Sequence, residues 1–405
     1  MAYDPLLGGY VLFGGCDAGD CWQNQTWVFA LGAWHNVTNS LDSPAARSYA
    51  AMTFDAVAGG DLLFGGYGIV NGSFVEYTDT WLYRAGGWIN ETGPGPAPSG
   101  RIGPSLAFDP DPEENGSVLF GGCLGYAACD STPWIWHPGS GWAAFGVPSW
   151  TPPGREFAAM AYDPALQALV LFGGYGPGSS VRELADTWEL SAGTWWSIDA
   201  SSPPPGRDSA AFGYDSALDA VLLFGGYDSW GGQFFNDTWA FSGAGWENLG
   251  LAPAPDARSN AAFASGGSSS PPVLFSGFDP IVGAVGNDTW VFEPPVSAAV
   301  TLAGISEASA PRSLVVDVAG GAPPYRATVE FGDGTSADAY GAGPALVVSH
   351  RFDAPGSFSV TAGVVDSVGV STVALLSVAV VPGVAVSAGA EPDRIDVGRS
   401  VPFTA

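Results

Sequence analysis

The chain has 405 residues, of which 12 are basic, every one an Arg, and 40 are acidic, for a formal charge of −28; at about 150 residues per domain this predicts two or three domains. The charge balance argues against nucleic acid, whose binding needs cations on phosphates, and the lack of lysine removes phosphate-loop NTPases, Schiff-base enzymes and pyridoxal-phosphate enzymes. Three histidines leave almost no room for a site built from several imidazoles, while 58 Gly, 33 Pro and abundant aromatics fit a turn-rich all-β protein better than disorder.

From the N-terminus onward the chain repeats itself. Phe-Gly-Gly begins at Phe13, Phe64, Phe120, Phe172 and Phe224, with a Phe275-Ser276-Gly277 variant, at spacings of 51 to 56 residues. Such a period marks a repeat architecture. Each unit then carries a Trp, usually after Thr (Trp27, Trp81, Trp134, Trp188, Trp239, Trp290). The first five add a second (Trp34, Trp88, Trp142, Trp195, Trp246), and an Arg opens each following unit: Arg47, Arg101, Arg155, Arg207 and Arg258.

The fourth unit divides into predicted strands at Phe157–Tyr162, Ala168–Phe172, Asp186–Leu190 and Trp195–Ile198, one four-stranded antiparallel sheet per unit. The Gly pair lets the chain leave the sheet at positive φ, and the Trp side chains suit the wedge between neighbouring sheets. The five arginines, identically placed, are expected to make structural hydrogen bonds or ion pairs between units. The pattern resembles the kelch repeat, and the resemblance implies a six-bladed kelch-like β-propeller over residues 1–294 with first and last units incomplete. The sixth unit is expected to have three strands, and a segment upstream of Met1 to supply what the two ends lack.

Past Pro294-Pro295 the period stops. Pro323-Pro324-Tyr325, Phe331-Gly332-Asp333-Gly334, His350-Arg351-Phe352, Gly356-Ser357-Phe358 and Val365-Asp366 stand in the order of polycystic-kidney-disease (PKD) domains. This resemblance implies an immunoglobulin-like β-sandwich over residues 298–382. Val397-Gly398-Arg399-Ser400 parallels Ala310-Pro311-Arg312-Ser313, so residues 383–405 read as the start of a second, truncated PKD-like domain. The uncharged stretch from Ser367 to Ala390 is long enough to span a membrane, but its Pro382, Gly and Ser content make it a last strand plus linker.

Seven Asn-x-Ser/Thr sequons (Asn24, Asn36, Asn71, Asn90, Asn115, Asn236, Asn287) fit an exported glycoprotein. The cysteines pair as Cys16/Cys21 and Cys123/Cys129, each within one loop, and predict two local disulfides and an oxidising compartment. Units 1 and 3 also lack the Asp that precedes Thr-Trp elsewhere (Asp79, Asp186, Asp237, Asp288), having Gln25 and Thr132-Pro133 instead; a disulfide is expected to replace the Asp-anchored loop there.

No cofactor is expected. Asp109, Asp111, Glu113 and Glu114 offer calcium-type oxygen ligands, but without EF-hand spacing and with two Pro among them the default is a solvated turn. His35, His137 and His350 read as structural. Ligand binding is assigned to the loops after each second strand and the connections between units, which emerge on one face: Tyr67, Phe74, Tyr77, Tyr126, Trp150, Tyr175, Tyr227, Trp230, Phe234 and Phe235. Aromatics beside acids suit stacking on sugars or gripping a protein; the alternative is that the rings tuck against their own sheets. The reading is an extracellular or cell-surface binding or adhesion protein with a glycan or protein partner and a PKD-like stalk. The alternative is an extracellular carbohydrate-active or other hydrolytic enzyme, its catalytic site in the propeller or elsewhere in a longer chain.

Overall fold

The computed structural model describes all residues except 17–21, 40–41, 126–127, 145–150, 177–182, 252–253, 268–269, 282, 293–295, 303–305, 308–310, 322, 367–370 and 383–405. The expected second PKD-like copy and Pro294-Pro295 lie outside the described residues. The chain divides into two compact units, Met1–Glu293 and Pro294–Ala405, and every named element is a strand.

Among the described residues the first unit holds six antiparallel sheets of three or four strands, one per repeat, besides two-stranded hairpins. Sheet 1 contains Ala2–Asp4, Gly9–Phe13, Thr26–Ala30 and Ala33–Asn36. Sheet 4, typical of the middle units, contains Ala159–Asp163, Ala168–Phe172, Thr187–Ser191 and Thr194–Ile198. Among the described residues sheet 6 contains Ala262–Ala264, Val273–Phe275 and Thr289–Val291. The second strand of sheets 2 to 5 is buried at every position, because a sheet covered on both faces takes a continuous apolar run rather than an alternating one. First strands of consecutive sheets are neighbours, from Ala2–Asp4 against Ala51–Asp55 through to Ala211–Asp215 against Ala262–Ala264, and the last of these also neighbours Ala2–Asp4.

Two aromatic contacts recur between sheets. In units 1 to 4 the Phe of the Phe-Gly-Gly packs on the second Trp of the next unit: Phe13 on Trp88, Phe64 on Trp142, Phe120 on Trp195 and Phe172 on Trp246, with centroids 4.9 to 5.2 Å apart, and Phe275 of the sixth unit packs on Trp34 of the first at 4.6 Å. The same Trp donates its indole N–H to the Thr before the first Trp of the preceding unit: Trp88 to Thr26, Trp142 to Thr80, Trp246 to Thr187 and Trp34 to Thr289, at 2.8 to 3.0 Å. Sheets 6 and 1 are thus joined by the same pair of contacts as internal neighbours.

Sheet 3 breaks the series. Pro133 stands where the others have Thr, so the buried Trp195 indole N–H finds no hydrogen-bond partner among the described residues, and the same is true of Trp134 and Trp136. An orphaned buried donor costs about 1–3 kcal/mol, whereas replacing Pro by a residue of freer backbone costs only about 0.4–1 kcal/mol. Pro133→Thr is therefore expected to stabilise the chain by about 1 kcal/mol, read as an increase in the urea midpoint at unchanged m-value; an unchanged or lower midpoint would show that Trp195 is satisfied by water.

The arginines tie each sheet to the one before it. Arg155 is fully buried. Its guanidinium donates to Asp186 Oδ1 and Oδ2 at 2.7 and 2.9 Å and to Gly173 O at 2.9 Å, all within its own unit. Its carbonyl accepts from Gly122 N of the preceding unit at 2.8 Å. A Cβ on Gly121 would stand 2.4 Å from that carbonyl oxygen, so the first Gly of the pair admits the arginine backbone and the second binds it. Arg47–Asp79, Arg207–Asp237 and Arg258–Asp288 repeat the ion pair. Sheet 3 corrects the expectation that it has no such anchor: Asp130, displaced upstream by the extra residues before Trp134, takes Arg101 at 3.0 Å. The Cys123–Cys129 disulfide therefore accompanies the Asp anchor there and does not replace it. Cys21 lies outside the described residues.

One further departure concerns the starts of the sheets. The first strand of sheet 4 begins at Ala159, not Phe157, because Phe157 adopts a positive φ of 55° and turns the chain before the strand. Tyr49, Gly103, Ser209 and Asn260, each two residues after a repeat arginine, do the same, with φ between 55 and 62°. They are linked in series: Gly103 N donates to Tyr49 O, Phe157 N to Gly103 O, Ser209 N to Phe157 O and Asn260 N to Ser209 O.

The second unit is a two-sheet sandwich. Ser297–Leu302, Pro311–Ala319 and Ala345–Arg351 form one sheet; Ser306–Glu307, Ser371–Val381, Gly356–Val365, Tyr325–Glu330 and Ser336–Gly341 form the other. Strict alternation in Pro311–Ala319 and Tyr325–Glu330 buries Leu314, Val316, Val318, Ala327 and Val329 in a core shared with Phe331, Phe352 and Val360. His350 stacks on Phe331 at 3.8 Å and meets Asp333 at 2.7 Å. The apolar stretch after Ser367 contributes the strand Ser371–Val381, and no helix among the described residues is long and apolar enough to cross a membrane.

Candidate functional site

Backbone pairing brings the two families of loops together. The residue after each repeat arginine bridges the residue after each Gly pair within the same unit: Ser48 with Tyr67, Ile102 with Cys123, Glu156 with Tyr175, Asp208 with Tyr227 and Ser259 with Phe278. Beyond these bridges the loops form two-stranded hairpins in units 2, 3, 5 and 6, at Tyr67–Val70 with Ser73–Glu76, Cys123–Leu124 with Ala128–Cys129, Tyr227–Asp228 with Gln233–Phe234, and Phe278–Asp279 with Ala284–Val285. Apolar side chains stand exposed at or near their tips: Phe74, Leu124, Trp230 and Ile281, of which Trp230 is 83 % exposed.

Between the loops opens a cavity of about 720 Å³ lined by Ser48, Tyr49, Phe157, Tyr227, Phe234, Ser259 and Phe278 among others. Two aromatic groups flank it. In the first, Tyr67 stacks on Tyr49 at 5.7 Å and meets Phe74 and Trp22 at 6.1 and 6.5 Å. Tyr49 also packs edge-on against Phe157 at 5.1 Å. Gly103 makes this possible, since a Cβ there would lie 2.6 Å from the Phe157 ring. In the second, Phe234 lies 4.3 Å from Tyr227 and 5.7 Å from Phe278.

Of the residues singled out in the sequence, Tyr67, Phe74, Tyr227 and Phe234 fall in these groups and Trp230 stands free at a hairpin tip. Tyr175 is engaged through its backbone, bridging Glu156 and Glu183. Phe235 and Tyr77 are corrections. Phe235 is buried, with the Arg207 guanidinium 3.8 Å over its ring, and Arg47 sits 4.0 Å over Tyr77; both rings cover repeat arginines. Tyr126 and Trp150 lie outside the described residues. Tyr49 and Phe157 were missed, although each sits two residues after a repeat arginine, a position that alignment of the units isolates.

Acids gather on one side of this face. Glu156, Glu183 and Asp208 are all at least nine-tenths buried. Burial, with Asp208 nearby, pushes the Glu156 carboxyl up to about 7. Burial likewise raises Asp208 to about 6 against a hydrogen bond from Ser209, with Glu183 and Asp228 adding to the rise. Glu183 accepts from Ser229 N at 3.2 Å, and Asp228 from Trp230 N and Gly231 N at 2.9 Å. Elsewhere, Asp109 and Asp111 each cap a turn, at 3.0 Å to Asp111 N and Glu113 N. Among the described residues no three His, Cys, Asp or Glu side chains are gathered as metal ligands.

Residues 298–378 match the PKD domain family and are a PKD domain. No curated protein matches the chain. Among solved structures, the PKD domain of an M14-like peptidase from a Thermoplasmatales archaeon is similar, at 18 % identity over 22 % of this chain and 94 % of its own, with a TM-score of 0.19. The extracellular domain of a protein described as a hybrid two-component system from B. thetaiotaomicron aligns at 10 % identity and a TM-score of 0.39, over 94 % of this chain and 56 % of its own; the chain spans little more than half of that length. A tetra-tandem repeat from the extending region of a large adhesion protein aligns at 13 % identity over 81 % of this chain and 74 % of its own, with a TM-score of 0.20.

Proposed function

We propose that residues 1–293 form a kelch-like six-bladed propeller that presents its hairpin face to an extracellular glycan or protein, and that the PKD domain serves as its stalk. The cyclic neighbour order of the six first strands and the Trp34–Thr289 bond between the last and first sheets support the propeller. The Cys123–Cys129 disulfide and the PKD domain support an extracellular or cell-surface location. The observation that carries the binding role is the cavity of about 720 Å³ flanked by two aromatic groups and rimmed by hairpins with exposed apolar side chains. A ring such as Trp230, left 83 % exposed, contributes nothing to the fold and is the kind of side chain that anchors an interface.

The test is a triple variant, Tyr49→Ala, Phe74→Ala and Trp230→Ala, of the 405-residue chain. On glycan and extracellular-protein arrays the wild type is expected to retain a ligand that the variant loses by more than tenfold, and Trp230→Ala alone, whose ring is exposed, is expected to weaken binding with Tm shifted by no more than about 2 °C. Equal binding by the variant, or a wild type that retains nothing on either array, overturns the proposal.

A further inference from the structure

We propose that the first unit binds a trimethylammonium cation in a second cavity, at the ends of the first strands opposite the hairpins. This cavity, of about 380 Å³, is lined by five aromatic residues, Tyr3, Phe54, Phe108, Tyr162 and Tyr214. They hold one position in five successive sheets, since each pairs with the second residue of the neighbouring strand: Tyr3 with Tyr10, Phe54 with Asp61, Phe108 with Ser117, Tyr162 with Leu169 and Tyr214 with Val221. In the sixth unit Ser265, directly after the strand Ala262–Ala264, takes the place of a ring and lines the same cavity with Gly266 and Gly267, which leaves room among the other five. Two residues upstream of the rings, Met52, Leu106, Met160 and Phe212 line both this cavity and the larger one, so apolar side chains form the boundary between the two. No hairpin residue lines the smaller cavity, and the proposal is independent of the ligand of the hairpin face.

The sign of the ligand follows from what stands behind the rings. Each ring is followed by a buried Asp, namely Asp4, Asp55, Asp109, Asp163 and Asp215, none more than 2 % exposed. One oxygen of each accepts from the backbone N–H two residues on, at 2.7 to 3.0 Å, which fixes the five carboxyls around the aromatics. Asp163 Oδ2 has no hydrogen-bond partner among the described residues. Their charge reaches the rings: burial first, then Asp109, Asp111 and Asp163, holds the Tyr162 hydroxyl above its ordinary range. Burial, the bond to Asp219 and the charges of Asp219, Asp163 and Asp215 do the same for Tyr214. Among the described residues no basic side chain lines the cavity. Arg84 is held by Ala58 O at 3.3 Å in the turn after Asp55, and burial, against the pull of Asp61, pushes the Met1 amine down to about 6, so that it is uncharged at pH 8. No carboxylate lines the cavity and no three acidic, His or Cys side chains gather as metal ligands among the described residues, so a metal ion would give up its water without oxygen ligands to replace it. A trimethylammonium group needs no such ligands: its charge is spread over its methyls and is attracted by aromatic faces. The volume lies in the range of small-molecule sites, about 300–1,000 Å³.

The experiment is calorimetric titration of the 405-residue chain at pH 8 with choline and with 3,3-dimethyl-1-butanol, its neutral carbon isostere, together with co-sedimentation on phosphatidylcholine vesicles. The expected result is at least tenfold tighter binding of choline than of the alcohol. Phe108→Leu with Tyr162→Leu, which keeps apolar bulk and removes two π faces, is expected to lower choline affinity more than fivefold, and the triple variant of the hairpin face to leave it unchanged. Phe54→Leu, in another sheet, repeats the test should the double variant unfold, and a loss of about threefold is expected there. Choline binding accompanied by retention on vesicles supports the proposal with a lipid headgroup as the source of the cation; choline binding without retention supports it with a free molecule. Equal affinity for choline and the alcohol, binding of neither, retention on vesicles without choline binding, or choline affinity unchanged in the folded Leu variants overturns the proposal. Choline binding lost in the triple variant of the hairpin face overturns it as well, since the cation would then sit among the hairpins.

Discussion

Arg155→Ala is expected to destabilise the first unit by about 3–5 kcal/mol, the cost of removing one partner from a buried ion pair. Arg155 is wholly buried, and its loss strands several acceptors at once: Asp186 Oδ1 and Oδ2, Gly173 O and Pro153 O. Burial alone pulls the Asp186 carboxyl upward, and the bonds from Arg155, with one from Trp188, outweigh it and hold the group below its usual range; without the guanidinium only the upward pull and the weaker bonds remain. Arg155→Lys should recover less than half of the loss, since an ammonium cannot bridge both carboxylate oxygens and a carbonyl in one plane. Urea unfolding followed by tryptophan fluorescence measures both variants. A loss under about 1 kcal/mol for the Ala variant would place the repeat arginines among surface pairs, which contribute little.

Glu156→Gln is expected to act in the opposite direction and only at high pH. In the folded chain the carboxyl titrates at about 7, against 4.5 for an ordinary glutamate. Below about pH 4.5 both states hold the proton and the group is neutral in its effect. Between there and pH 7 the unfolded chain loses its proton first, so stability falls as pH rises and then levels off, by roughly 3 kcal/mol at full expression. Glutamine carries no such proton. The variant should match the wild type at pH 4 and exceed it at pH 8 by a few kcal/mol at most, with Asp208, which titrates at about 6, still contributing its own smaller fall. Urea midpoints at pH 4, 6 and 8 decide it; a constant difference across that range would mean that the Glu156 carboxyl titrates alike in the folded and the unfolded chain.

The repeat length, the strand pairs of each unit and the PKD domain were all legible in the residues, because each rests on local pattern. Continuous apolar runs such as Ala168–Phe172 read as buried strands, paired glycines as exits from a sheet, and Phe331-Gly332-Asp333-Gly334 as a motif. What tertiary structure decided were matters of distance between residues far apart in the chain. Asp130 anchors Arg101 from a position the motif does not mark, since an ion pair needs only that the carboxylate reach the guanidinium at 3.0 Å. Phe235 and Tyr77, aromatic and loop-borne, look like ligand contacts until buried arginines are found over their rings. Tyr49 and Phe157 become neighbours at 5.1 Å across 108 residues because positive-φ turns from successive units are hydrogen-bonded in series and Gly103, between them, has no side chain. Composition and spacing thus determined the strands and their repetition; which side chains share one face and which are packing followed only from how the sheets stand against one another.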